Sequence, residues 1–246
     1  IGKVPYKVIG AGSNVLIRDG GYFGIIFKLG KKFNDIHLKK SSLEVGAAIL
    51  DVNLSKFAAL NKITNFEFFS GIPGTIGGAI KMNAGCFGFE TKDILNKVKI
   101  INSNGKIITL GKDELKLSYR NSNLSEGDVI TSANFNVAYG NNDAIKKRMS
   151  EIKELREKKQ PIRSKTSGST FKNPKNNYAA KLIEMADCKG MNVGDAYVSD
   201  KHANFLINTN QASANQIEEL GKRIIDKVYK KFSIELQWEV KIFGNK

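Results

Sequence analysis

The chain has 246 residues, 41% hydrophobic and 26% charged, the balance of a folded protein rather than a disordered one. It has room for one large domain or two ordinary ones. No apolar run approaches the roughly 18 residues of a membrane span, and two cysteines, Cys86 and Cys188, are too few for a disulfide framework or a cysteine-built zinc site, so a reducing cytoplasm is expected. Lys and Arg outnumber Asp and Glu by 39 to 24; the resulting +15 attracts anions, but the excess is scattered lysine with no basic stripe interleaved with aromatics, and it reads as solvated surface.

In chain order, Tyr6–Ile9 is apolar and β-prone and stops at Gly10. Val15–Ile17 follows, then an Asp19-Gly20-Gly21 turn and Ile25–Phe27, so the opening reads as short strands with glycine turns. Leu43–Val45 is a further strand, and the period changes over 51–62, where Leu54, Phe57, Ala58 and Leu60 suit a short amphipathic helix. Residues 71–88 hold six of the chain's 23 glycines, a density that neither a helix nor an ordinary strand favours, because each glycine costs about 0.5–1 kcal/mol of backbone entropy. Val98–Ile101 and Ile107–Leu110 flank Asn104-Gly105, which predicts a hairpin with a type I′ turn, and Val129–Val137 is another strand.

Asp143 is placed to cap a helix carrying Ile145, Met149, Ile152 and Leu155, with Pro161 ending it. Beyond it come a helix at Tyr178–Ala186, strands at Ala196–Val198 and Phe205–Ile207, and a helix from Ser213, where Gln216 completes a capping box. That helix carries a stripe of Ile217, Leu220, Ile224 and Val228, and a last strand is expected over Ile234–Ile242. The order of elements is α+β in two parts, divided at the start of the long helix into 1–142 and 143–246.

Two loops are candidates for binding an anion. Gly10, Ala11, Gly12, Ser13 and Asn14 follow a strand, and successive N–H groups there can form a nest for phosphate. It is no Rossmann fingerprint, because Val15 replaces the third glycine and a strand follows instead of a helix. The segment from Gly71 through Ile72, Pro73, Gly74, Gly77 and Gly78 to Asn83, Ala84 and Gly85 fixes a tight path with exposed amides, and the Asn83 amide can read a polar ring edge. Two such loops in one half of the chain suit a dinucleotide. Reactive candidates lie elsewhere: Ser169 in a Gly-Ser turn near Lys172, Arg120 in a lysine-dominated chain, Glu239 between Trp238 and Val240, and, more weakly, His202. No His/Cys/Asp cluster has metal spacing.

Taken together, eight stretches in order resemble the UDP-N-acetylenolpyruvoylglucosamine reductases of peptidoglycan synthesis: Val8–Ile17, Gly71–Gly85, Ser118–Ser122, Gln160-Pro161, Ser167–Pro174, Lys181–Glu184, Ser199–Asn208 and Glu239–Gly244. The resemblance implies an FAD-binding domain of the PCMH/vanillyl-alcohol-oxidase type followed by a smaller α+β substrate-binding domain, and a lidless branch, since the segment between Arg120 and Gln160 is short. It implies that NADPH passes hydride to FAD, that the flavin N5 delivers it to C3 of the enolpyruvyl ether of UDP-N-acetylglucosamine, and that an enzyme acid protonates C2 to give UDP-N-acetylmuramate. The family's catalytic serine, glutamate and arginine fall on Ser169, Glu239 and Arg120, with Glu239 protonated. Tyr119, Lys159 and Asn173 align with substrate-binding positions, and the two glycine loops with the FAD loops.

The same resemblance implies that a βαβ unit normally preceding Val8 is missing, which agrees with an opening residue, Ile1, that is not Met. A monomer in the cytoplasm, acting on a UDP-sugar without nucleic acid or membrane insertion, is the expectation. Three competing readings are a different FAD oxidoreductase of the same fold, kept open by Cys86 as a flavin attachment point, a truncated relative that binds without catalysis, and a basic nucleic-acid-binding protein. The last leaves the glycine loops without a task.

Overall fold

The computed structural model of the protein describes residues 4–246, so Ile1 and the next two residues of the 1–142 division lie outside the described residues. Six α-helices occur among the described residues: α1 (Asp51–Leu60), α2 (Ile76–Lys81), α3 (Thr91–Ile94), α4 (Asn142–Lys159), α5 (Ala179–Met185) and α6 (Ala214–Phe232). The chain separates into two compact units. The first holds the residues up to Ala11 together with Gly24–Leu155, and the second holds Gly12–Phe23 together with Arg156–Lys246.

The first unit is built on a five-stranded antiparallel sheet in the spatial order Ile107–Gly111, Leu95–Ile101, Val129–Asn136, Ser42–Gly46, Ile36–Leu38. The alternation of these strands buries Leu43, Val45, Val98, Ile100 and Phe135. Leu54 and Ala58 of α1, Ile76 and Ile80 of α2, and the aromatic run Phe66, Phe68 and Phe69 close the same core. A parallel pair, Tyr6–Ile9 with Ile25–Lys28, precedes it in the chain. The Asn104-Gly105 hairpin forms with Ile101 opposite Ile107, but not through a type I′ turn. Of the two residues only Gly105 has positive φ (+76°), Gly105 N donates to Asn102 O (2.8 Å), and Asn102 Oδ1 takes the amides of Asn104 and Lys106. The Asn102 side chain thereby stabilises a right-handed turn closed by one left-handed glycine.

Two helices differ in detail from the sequence expectation. The glycine-rich stretch contains α2, whose first N–H groups are organised by Thr75: its Oγ1 accepts from Gly78 N (3.4 Å). At the start of α4, Asn141 and not Asp143 is the cap, because Asn141 Oδ1 accepts from Asp143 N (2.9 Å) and Ala144 N (3.0 Å). The helix stops at Lys159, two residues before Pro161, and buries Ile145 and Ile152.

The second unit has a three-stranded antiparallel sheet, Asn192–Val193, Ala196–Val198 and Leu206–Asn208. Leu182 and Ile183 of α5 and Leu220, Ile224 and Val228 of α6 form its core with Leu236 and Phe171. The Ser213/Gln216 capping box of α6 is present in both directions.

Residues 12–23 join this unit rather than their sequence neighbours. Val15–Ile17 pairs in parallel with Lys241–Phe243, Arg18 makes a two-bonded contact with Glu218 (2.7 and 3.1 Å), and the Asp19 carboxylate accepts from Ala214 N and Asn215 N at the start of α6. The division of the described chain therefore falls at 11/12, 23/24 and 155/156, not at 142/143. The expected strand over Ile234–Ile242 reduces to Lys241–Phe243. Upstream of it the chain makes single bridges, such as Trp238 with Phe171, because its partner segment, 169–172, is shared with residues 204–205.

Candidate active site

Within the first unit the start of the first glycine segment, Gly10, meets the second segment. Gly10 lies against the Thr75 side chain, where a Cβ on Gly10 would overlap Thr75 Oγ1, the atom that caps α2. Thr75 is itself set by a bridge to Leu50, through Asp51 N to Gly74 O (3.1 Å) and Ile76 N to Ile49 O (2.9 Å). Several amides expected to be exposed are engaged inside the protein: Gly77 N donates to Ala47 O, Gly78 N to Thr75 Oγ1, and Ile72 N to Phe69 O. Among the described residues the amides of Gly74 and Thr75 donate to no protein acceptor, so the tip of the second loop is the part free to bind an anion. A path that admits only glycine at position 10, beside two unengaged N–H groups, suits the pyrophosphate of a dinucleotide.

Asn83 has a different task from the one the sequence suggested. It is fully buried at positive φ (+41°); its Nδ2 donates to Glu90 Oε2 (3.1 Å) and Ser118 O (3.0 Å), and its Oδ1 accepts from Lys92 N (3.0 Å). Its side chain therefore ties the second glycine loop to the Tyr119-Arg120 segment and is not presented to a ring edge. Ala84 and Gly85 continue from it; Ala84 N donates to Ala79 O (2.7 Å), and Gly85 pairs with Glu90.

Arg120 has positive φ (+52°), a conformation that non-glycine residues adopt sparingly and that concentrates at functional sites. Its guanidinium donates to Gly85 O (2.9 Å) and Asn83 O (3.4 Å), lies 3.9 Å from Glu90, and covers the half-exposed Tyr119 ring at 4.9 Å. Cys86 donates its thiol to Phe68 O (3.2 Å).

Ser169 and Glu239 belong to the second unit, where adjacent segments carry them. Gly168 takes φ +80°, Ser169 bridges Phe205, and Glu239 N donates to the carbonyl of Thr170, the residue after Ser169 (2.8 Å). Among the described residues the Ser169 hydroxyl makes no hydrogen bond. Asn14 of the first loop donates to Glu239 O (3.2 Å) and accepts from Lys241 N (3.0 Å), which anchors the glutamate's segment. Lys241, which the sequence reading passed over, stands beside both Glu239 and Lys172. Partial burial and then Lys172 push its ammonium down in pKa, against the pull of Glu239. Its signal was available, because Glu239 and Lys241 sit two apart in an extended run and share a face.

Of the other expected residues, Asn173 Oδ1 accepts from Ala179 N (3.0 Å) at the start of α5, and Lys159 is the exposed last residue of α4. Burial lowers the pKa of His202, whose Nδ1 accepts from Asn204 N (3.3 Å). Among the described residues no three His, Cys, Asp or Glu side chains group as metal ligands, and no helix is long and apolar enough to cross a membrane.

Two glycine loops meeting on a helix cap, followed by a small α+β unit, define a flavoprotein. The FAD binding domain family matches residues 2–111, and the C-terminal domain of UDP-N-acetylenolpyruvoylglucosamine reductase matches residues 160–243. The chain is 43% identical over 243 residues to the UDP-N-acetylenolpyruvoylglucosamine reductase of Gluconobacter oxydans (strain 621H), covering 99% of this chain and 79% of that one. It is 42% identical over 242 residues to the enzyme of the same name from Rickettsia conorii (strain ATCC VR-613 / Malish 7), covering 98% and 82%. The crystal structure of the Thermus caldophilus reductase superposes with a TM-score of 0.87 at 35% identity, over 98% of this chain and 86% of that one. The chain belongs to the UDP-N-acetylenolpyruvoylglucosamine reductase family.

Proposed function

We propose that this chain reduces the enolpyruvyl ether of UDP-N-acetylglucosamine to UDP-N-acetylmuramate, with FAD as cofactor and NADPH as electron source. The chain up to Leu155 serves the flavin, and residues 156–246 supply the substrate-binding domain. The observation that carries the mechanism is the pairing of Ser169, its hydroxyl unengaged among the described residues, to the segment of Glu239 through Thr170. The FAD contacts fall to Gly10, Ala11, Gly12, Ser13 and Asn14 in the first loop, and to Gly71, Ile72, Pro73, Gly74, Gly77, Gly78, Ala84 and Gly85 in the second, with Asn83 buried behind them as their support. When bound, FAD supplies hydride, drawn from NADPH, to C3 of the enolpyruvyl group.

Addition at C3 places negative charge on C2 and its carboxylate as an enolate. Arg120 donates to that carboxylate, and Glu239, in its protonated form, adds a second hydrogen bond that strengthens as charge grows. Ser169 gives its proton to C2, and the serine recovers one from solvent, so the substrate gains one hydride and one proton and the charge balances. Tyr119, Lys159 and Asn173 hold the sugar nucleotide. The protein works as a cytoplasmic monomer without nucleic acid.

The test is product analysis on FAD-loaded protein. With the enolpyruvyl-UDP-sugar present, one NADPH is oxidised per substrate and the product gains the mass of two hydrogens. NADPH oxidation that does not respond to the sugar overturns the reading.

A further inference from the structure

The segment that carries Ser169 lacks a continuous strand ladder. It is held by single bridges, Ser169 to Phe205 on one side and Phe171 to Trp238 on the other. On the second side, Glu239 N donates to Thr170 O and Lys172 N to Gln237 O, both at 2.8 Å. On the first side one residue does the work of a strand. Asn204 O accepts from Thr170 N (2.8 Å), Asn204 Oδ1 accepts from Phe171 N (2.9 Å), and Asn204 Nδ2 donates to Phe171 O (2.8 Å). Asn204 is 4% exposed. Both ends of its amide are used on the N–H and C=O of one residue, Phe171, so the side chain imitates a backbone partner. An ionised aspartate lacks the donor, a glutamine is one methylene too long, and an alanine offers neither group.

We propose that Asn204 is a positioning residue for the reaction: it fixes the Thr170–Phe171 backbone, and with it the direction of Ser169 on one side and of Glu239 on the other. This rests on the reading of Ser169 as the proton donor. The geometry explains why a single side chain reaches both groups, since Thr170 accepts from Glu239 N through its carbonyl and donates to Asn204 O through its own N–H. Loss of the amide would let the serine shift, and a displacement near 1 Å costs on the order of 10²-fold in rate.

The experiment follows the two half-reactions of the holoenzyme separately, by flavin absorbance, in Asn204→Asp, Asn204→Ala and Ser169→Ala. Asn204→Asp keeps the volume and one acceptor but sets a second oxygen against the Phe171 carbonyl, either as a buried carboxylate or as an acid whose proton can replace the lost donor, so Asn204→Ala, which offers neither group, is the deciding variant. Bleaching by NADPH is expected within about twofold of the parent, while reoxidation by the enolpyruvyl-UDP-sugar slows about 10–10²-fold with little change in its KM. Reoxidation should also show a larger solvent deuterium effect than in the parent, because the proton step has become limiting. Asn204→Ala follows the same pattern with a larger loss.

Equal slowing of both half-reactions would make Asn204 a merely structural residue and overturn the inference. So would parent-like reoxidation in Asn204→Ala when Ser169→Ala is inactive, a result that leaves Ser169 as donor. Normal reoxidation in Ser169→Ala overturns the Ser169 reading itself and takes the Asn204 role with it.

Discussion

Asp51, the first residue of α1, carries a carboxyl group with no exposure and no hydrogen-bond partner on either oxygen among the described residues. Ser55 Oγ, one turn further along, is in the same condition. Burial pushes the Asp51 pKa well above the usual carboxylate range. The sign of the consequence is fixed by linkage: above the unfolded carboxyl pKa of about 3.9 the unfolded chain releases a proton that the folded state keeps, so stability falls as pH rises until the folded pKa is passed. Asp51→Asn removes this dependence. The variant should gain stability over the parent from about pH 4 upward, read as the difference in urea midpoints against pH, and parallel curves would contradict it. Gly10 is the second residue whose chemistry is set by its surroundings. Gly10→Ala pushes a methyl into the Thr75 cap, and FAD affinity should drop at least tenfold, about 1.4 kcal/mol, in a flavin titration. Unchanged affinity would remove this loop from the flavin site.

At the scale of elements, α6 offers a test in which two principles oppose each other. Gly221 lies in the helix interior, where alanine is favoured by about 1 kcal/mol, yet a Cβ there would run into the Trp238 ring, itself packed at a tilt against Phe171 with centroids 5.0 Å apart. Packing wins, because the ring is held on both sides, and Gly221→Ala should destabilise by about 1–3 kcal/mol and disturb the adjacent Glu239. A stabilised variant would show that the ring yields. The helices and strands with strong periodicity were legible in the sequence: α6 with its capping box, α1, and the strands Tyr6–Ile9, Val15–Ile17 and Val129–Asn136. What was not legible depended on partners distant in the chain. Residues 12–23 are drawn into the second unit by Arg18–Glu218 and the Asp19 cap, contacts some 200 residues apart. Asn83 and Asn204 read as polar loop residues, and only the fold shows that their amides are buried clamps. Of the candidate site, the residue types and segments were readable through the family resemblance. The engagement of the Gly77 and Gly78 amides was not, since glycine density does not reveal which N–H groups the fold consumes.

At the scale of the whole molecule, the +15 charge acts on ligands that are all polyanions. Long-range attraction of this kind is screened over a Debye length of about 10 Å at 0.1 M salt. The KM values for NADPH and for the UDP-sugar should therefore both rise severalfold between about 50 and 500 mM salt, with kcat changing less. Salt-independent KM values would leave the surface lysines without a part in capture. In the proposed mechanism, hydride chemistry at the flavin and proton delivery by Ser169 are separate tasks of this chain. The most direct measurement is anaerobic stopped-flow absorbance of FAD-loaded parent and Ser169→Ala protein, mixed first with NADPH and then with the enolpyruvyl-UDP-sugar. The flavin band should bleach at parental rate in both proteins, and the sugar should restore it promptly in the parent and at least about 10³-fold more slowly in the variant. Full recovery in Ser169→Ala, or a parent whose bleached flavin ignores the sugar, would contradict the claim.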